Sequence, residues 1–126
     1  MKIALDQGTA SYRIRGYGPG RVTINETEYT RDLIVLPEAL IEDWESVPAA
    51  ELTVEHFAAL ADHDPEILLL GTGAGQHLPP ARLLAHFARR GIGLEAMDTA
   101  AACRTYNVLM SEDRRVAAAL MMIEAD

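Results

Sequence analysis

Residues 67–97 restrict the fold of this chain more than any other stretch. Ile67-Leu68-Leu69-Leu70 is apolar at every position, as a central strand covered on both faces requires. Gly71-Thr72-Gly73-Ala74-Gly75 ends that run, and Pro79-Pro80 opens an amphipathic pattern. Pro80 suits the first helical position. Leu83, Leu84 and Phe87 form the expected inner stripe, and Arg89-Arg90-Gly91 closes the helix. Residues 94–97 make a second short apolar run. Strand, helix and strand predict a βαβ unit with parallel strands joined by a right-handed crossover.

The flanks build on that unit. Asp98 is expected to cap a helix running to about Met110, with Ala102, Tyr106, Leu109 and Met110 facing inward. Residues 111–114 read as a polar turn. Residues 116–123 are apolar on both alternations, which predicts a second central strand. Upstream, Tyr12 and Ile14 precede Tyr17-Gly18-Pro19-Gly20, and Val22 and Ile24 follow, so a β-hairpin is expected there. Asn25-Glu26 is a second turn signal, and residues 29–36 read as a third strand ended by Pro37. Residues 37–44 suit either a short helix or an irregular cover, with Leu40, Ile41 and Trp44 on one helical face. Thr53 suits the N-cap of a helix over 54–62, burying Phe57, Leu60 and Ala61 and stopped by Asp64-Pro65. Residues 1–10 read as a loose or edge segment. The expected fold is α/β: a single domain, residues 1–126, with a mixed central β-sheet flanked by helices and an additional antiparallel β-layer.

With 126 residues, 49% of them hydrophobic, the chain is long enough for one continuous core and too apolar for disorder. The formal charge of −8 argues against nucleic acid and against an anionic membrane surface, and favours solubility or a basic partner. No segment approaches the about 20 apolar residues of a membrane span. Residues 1–7 hold one positive residue and no apolar core, so no secretory signal is expected. One cysteine, Cys103, excludes an internal disulfide and fits a reducing cytoplasm. A cytoplasmic location is therefore expected. An antiparallel edge near Val22 and Tyr29 would offer unpaired backbone groups to a homodimer through the front β-layer.

The candidate site lies where parallel strands end, because open α/β sheets hold ligands there. Gly71, Thr72 and Gly73 would form one wall, with Glu95, Asp98, Thr99, Arg104 and Asn107 on the other. The glycine loop could offer backbone N–H groups to an anion at the start of a helix. It lacks the Lys-Ser/Thr of a Walker loop, and Gln76 replaces the third glycine of a dinucleotide fingerprint. A plain tight turn explains the glycines equally. Asp98 and Thr99 have a competing reading as helix caps, and Arg104 as an ion-pair partner of Glu95 or Asp98. Cys103 with His77 as its base would make a nucleophile, but a cysteine among alanines also reads as a small buried hydrophobe. The histidines, His56, His63, His77 and His86, lack the paired spacing of a metal site. Trp44 in its acidic segment is either a surface anchor or a core residue. No catalytic constellation, metal or cofactor is expected.

Gly71-Thr72-Gly73, Leu78-Pro79-Pro80 and above all residues 91–109 (GIGLEAMDTAAACRTYNVL) carry a likeness over nearly the whole chain. It resembles the family of small uncharacterised domains that includes mitochondrial respiratory complex I assembly factor three and the adipogenesis-associated domain protein of animals. The resemblance implies a single α/β domain and an assembly role through protein contacts, not an enzyme. It brings no catalytic residues. The leading expectation is a non-enzymatic interaction or assembly-factor-like domain with a protein partner. The alternative is a small-ligand or anion-binding domain, possibly an enzyme, using the 71–75 loop and the 95–104 region.

Overall fold

In the computed structural model, which describes residues 11–124, alternate residues of the central strands feed two separate cores. Strand β6 (Ile67–Thr72) turns Leu68 and Leu70 to one face and Leu69 to the other. Strand β8 (Val116–Met121) does the same, with Ala117 and Ala119 on the first face and Val116, Ala118 and Leu120 on the second. This is why neither run alternates between apolar and polar residues. The reading of 1–10 as a loose segment falls outside the described residues.

Six further strands complete the two sheets. Strands β1 (Ile14–Gly18), β2 (Arg21–Ile24) and β3 (Thr27–Tyr29) form an antiparallel sheet in that order. Strands β4 (Leu33–Leu36), β5 (Ala39–Ile41) and β7 (Gly93–Met97) join β6 and β8 in a five-stranded mixed sheet, ordered β5-β4-β8-β6-β7. β6 pairs in parallel with both β7 and β8, and β4 is antiparallel to β8. Helix α1 (Ala81–Arg89) packs Leu83 and Phe87 into the first core beside Trp44 and Phe57. Helix α2 (Thr99–Ser111) packs Ala102, Cys103 and Tyr106 into the second core beside Ile14, Val22 and Ile24 of the antiparallel sheet. The mixed sheet between helices and the extra antiparallel layer are thus both present.

Several expected elements shift. The strand expected over 29–36 splits, because the chain leaves β3 at Tyr29 and enters the other sheet at Leu33. Asp32, in the break, accepts the Met122 N–H at 2.8 Å and the Ser46 hydroxyl, which anchors the crossing. Residues 37–44 hold the edge strand β5 in place of a helix, since Ala39–Ile41 finds a partner in Ile34–Leu36. Trp44 is buried, with its indole N–H on the His56 carbonyl at 2.6 Å and its ring 5.5 Å from Phe57.

The helix expected over 54–62 is a 3-10 segment, Val54–Leu60, interrupted at Phe57. Thr53 does cap it, reciprocally with His56, but Ala61 is exposed. Pro80 stands one residue earlier than expected, as the cap of α1, and Leu84 turns outward. Val22 lies in the middle strand of its sheet, so the edges are β1 and β3, and of the expected edge segment only the part in β3, ending at Tyr29, lies on one.

Candidate functional site

The chain leaves β6 toward α1 on one face of the sheet and leaves β7 toward α2 on the other. The crevice between the ends of β6 and β7 is therefore the position where open α/β sheets commonly bind ligands. Here the protein's own groups occupy it. Gly73 donates its N–H to the Thr99 hydroxyl at 2.8 Å, and the Thr99 N–H returns to the Gly73 carbonyl at 2.9 Å. The same hydroxyl donates to the Met121 carbonyl at 2.6 Å, tying the end of β8 to the pair. Thr99 is fully buried, so each of these bonds replaces one that water cannot make.

Two glycines are required by this closure. A Cβ on Gly71 would lie 3.0 Å from both the Thr99 Cα and its hydroxyl. Gly73 has φ +88°, and a Cβ there would meet the Glu124 carboxylate at 2.8 Å. The next donor of the loop, the Ala74 N–H, is taken by that carboxylate at 2.9 Å. This bond holds the Glu124 carboxyl below its ordinary range. An internal carboxylate thus sits where a bound anion would. Thr72 accepts the His77 N–H at 3.0 Å and donates its hydroxyl toward the Gly75 carbonyl at 2.6 Å, folding the loop onto itself. The Gln76 side chain reaches the Ala96 carbonyl of β7 at 2.8 Å.

Gly71, Thr72, Gly73, Asp98 and Thr99 therefore come together, whereas Glu95, Arg104 and Asn107 do other things. Asp98 caps α2 by accepting the Ala101 N–H at 2.8 Å. Glu95 is exposed on the edge strand β7. Arg104 donates to the Tyr17 hydroxyl at 2.8 Å and pairs with neither Glu95 nor Asp98. Asn107 grips β1 from both sides, accepting the Ile14 N–H at 3.1 Å and donating to the Ile14 carbonyl at 2.7 Å. These two side chains bind the antiparallel layer to α2.

Cys103 is buried, and desolvation pushes its thiol up to about 12, so it carries almost no thiolate at neutral pH. Burial also raises the Tyr106 phenol, whose hydroxyl donates to the Tyr12 carbonyl at 2.7 Å. Among the described residues, no group of three or more His, Cys, Asp or Glu side chains is placed to hold a metal ion. Among the same residues, no helix is long and apolar enough to cross a membrane.

On the opposite side of the glycine turn lies an open groove of about 650 Å³. It is lined by Thr72 and Met121 at the strand ends, by Pro48, Ala49 and Ala50, and by Gln76, His77, Leu78 and Glu124. Sequence reasoning missed this concavity, because its walls are up to about 75 residues apart in the chain. The exposed Leu78 ahead of two prolines was the one local signal.

The family model described as "Protein of unknown function (DUF498/DUF598)" matches residues 14–121. The NADH dehydrogenase (ubiquinone) 1 alpha subcomplex assembly factor 3 of Danio rerio is 34% identical over 123 residues, covering 96% of this chain and 70% of that protein. The 13 kDa major membrane protein of Francisella tularensis subsp. holarctica is 31% identical over 117 residues, covering 92% and 95%. A crystal structure of a Bordetella parapertussis protein superposes with TM-score 0.85 at 37% identity, covering 92% of this chain and 99% of that one. By the extent of these matches, the chain belongs to the family of unknown function DUF498/DUF598, together with the complex I assembly factor 3 proteins that its 91–109 block resembles.

Proposed function

We propose that this chain is a non-enzymatic, assembly-factor-like domain that acts in the cytoplasm by holding a protein partner. The observation that carries this reading is the closure of the crevice: Thr99 and Glu124 take the Gly73 and Ala74 N–H groups that a phosphate or carboxylate ligand would need. The relative from Danio rerio, named as an assembly factor of NADH dehydrogenase, supports it and suggests the same class of client.

The test is to purify the tagged chain at near-physiological salt and measure assembled NADH dehydrogenase in cells lacking it. Co-purification of NADH dehydrogenase subunits, with a fall in the assembled complex, is expected. Normal assembly with no recovered subunit would overturn the reading. Fractionation of the same cells tests the location, with the chain expected in the soluble fraction.

The alternative is a small-ligand or anion-binding domain, or an enzyme, using the 71–75 loop and the 95–104 region. It requires the loop to release Glu124 and Thr99. Titrating nucleotides and small acids against thermal stability separates the two, since a ligand at 100 times its dissociation constant adds about 2.7 kcal/mol.

A further inference from the structure

We propose that the groove beside the glycine turn is the docking surface for a basic, apolar segment of the partner protein, with Leu78 as its anchor. This rests on the reading above that a protein partner exists.

Leu78 is 70% exposed, more than any other large hydrophobic side chain among the described residues. It lines a concavity of about 650 Å³ that also presents Pro48, Ala50 and Met121. An apolar patch rimmed by polar groups is the usual mark of a contact surface. A largely exposed leucine in the wall of an open groove suits a protein partner, because an extended contact surface removes that side chain from water. The proline pair after Leu78 fixes the backbone that presents it, which lowers the ordering cost of binding.

The charge of the surface selects the partner. Among the described residues, no Lys or Arg lines the groove. The ionisable residues lining it among those described are Glu124 and His77, and the exposed Glu51 follows Ala50 in the same turn. The chain as a whole carries −8. Like charges across an interface repel and opposite ones attract, so an acidic segment is disfavoured there and a Lys/Arg-bearing one is steered in. Arg82 and Arg89 of α1 lie outside this groove and supply the comparison site.

A photo-reactive phenylalanine placed at position 78, and separately at 89, in the full chain in its native cells tests this. The segment crosslinked from 78 is expected to combine Lys or Arg with apolar residues. As a synthetic peptide it should bind the wild-type chain in a salt-sensitive manner. Leu78→Asp and Leu78→Ala should each weaken it by about tenfold or more, and Glu51→Lys should weaken it less. The docking assignment is overturned if crosslinks come only from 89, if the captured segment is acidic, or if both Leu78 variants bind unchanged. It also falls if no protein crosslinks at 78 while NADH dehydrogenase subunits still co-purify with the chain. If neither crosslinks nor subunits are found, the functional reading itself falls.

Discussion

The two sides of the glycine turn meet the same backbone with opposite outcomes. Toward α2 the turn is sealed by the buried Thr99, whose hydroxyl serves Gly73 and Met121 at once. Toward the Ala49–Glu51 turn it borders an open, largely apolar groove with an exposed leucine in its wall. A glycine-rich loop after a β-strand thus says little about ligands until the fate of its N–H groups is known. Here those groups hold the fold together, and the unsatisfied surface lies behind them.

Removing the seal should have the largest effect. Thr99→Val keeps the shape of the side chain but strands a buried N–H and a part-buried C=O, so unfolding free energy should fall by about 3 kcal/mol. Thr99→Ser retains the hydroxyl and should lose about 1 kcal/mol. Denaturant titration of both variants measures this. A Val variant as stable as the Ser one would mean that the bonds do not seal the turn.

The next effect belongs to the clamp on the antiparallel layer. Asn107→Leu leaves both backbone groups of Ile14 without their partner and should cost about 2 kcal/mol. Amide exchange should accelerate in β1 and β2 more than in β6 and β8. Equal acceleration in both sheets would contradict a separately clamped layer.

Glu124 provides a smaller, pH-dependent signal. Its carboxyl is held below the ordinary value of 4.5, chiefly by the Ala74 N–H. A lowered folded-state pKa contributes stability above the unfolded value and loses it as pH falls through the folded value. Glu124→Gln should therefore be less stable than wild type at neutral pH, by under about 1 kcal/mol for so exposed a group. Thermal unfolding from pH 7 into the acid range below 4.5 should show that difference closing. A difference independent of pH would remove the carboxylate from the account.

On the open side, Leu78→Ala should leave stability within about 0.5 kcal/mol of wild type, because the side chain is largely in water. A larger loss in thermal unfolding would make Leu78 a packing residue.

What the sequence disclosed about the fold follows from how local each determinant is. The 67–70 run, the Asp98 cap and the end of α1 before Gly91 are set by neighbours within one turn or one strand, and the structure has them. Strand β5 escaped because three residues of mixed character become a strand only by pairing with Ile34–Leu36. The break before Leu33 depends on Asp32 meeting Met122, 90 positions away. The candidate site divides in the same way. The approach of Gly71–Gly73 to Asp98–Thr99 was legible from the βαβ unit. The role of Asn107 needed β1 in place, and the capture of Ala74 by Glu124 needed a contact 50 positions apart. Helical spacing placed Arg104 near Glu95 and Asp98, but the antiparallel layer brought Tyr17 within 2.8 Å instead.

The occupancy of the crevice is tested by following the Gly73 and Ala74 backbone amide resonances during titration with phosphate, a nicotinamide dinucleotide and ATP into the millimolar range. If Thr99 and Glu124 hold these amides, neither resonance should show a saturable shift, and the Gly73 amide should exchange as slowly as those of β6 and β8. A saturable shift at both amides, accompanied by faster exchange at Gly73, would show that the loop releases its own partners to bind an anion and would contradict the account.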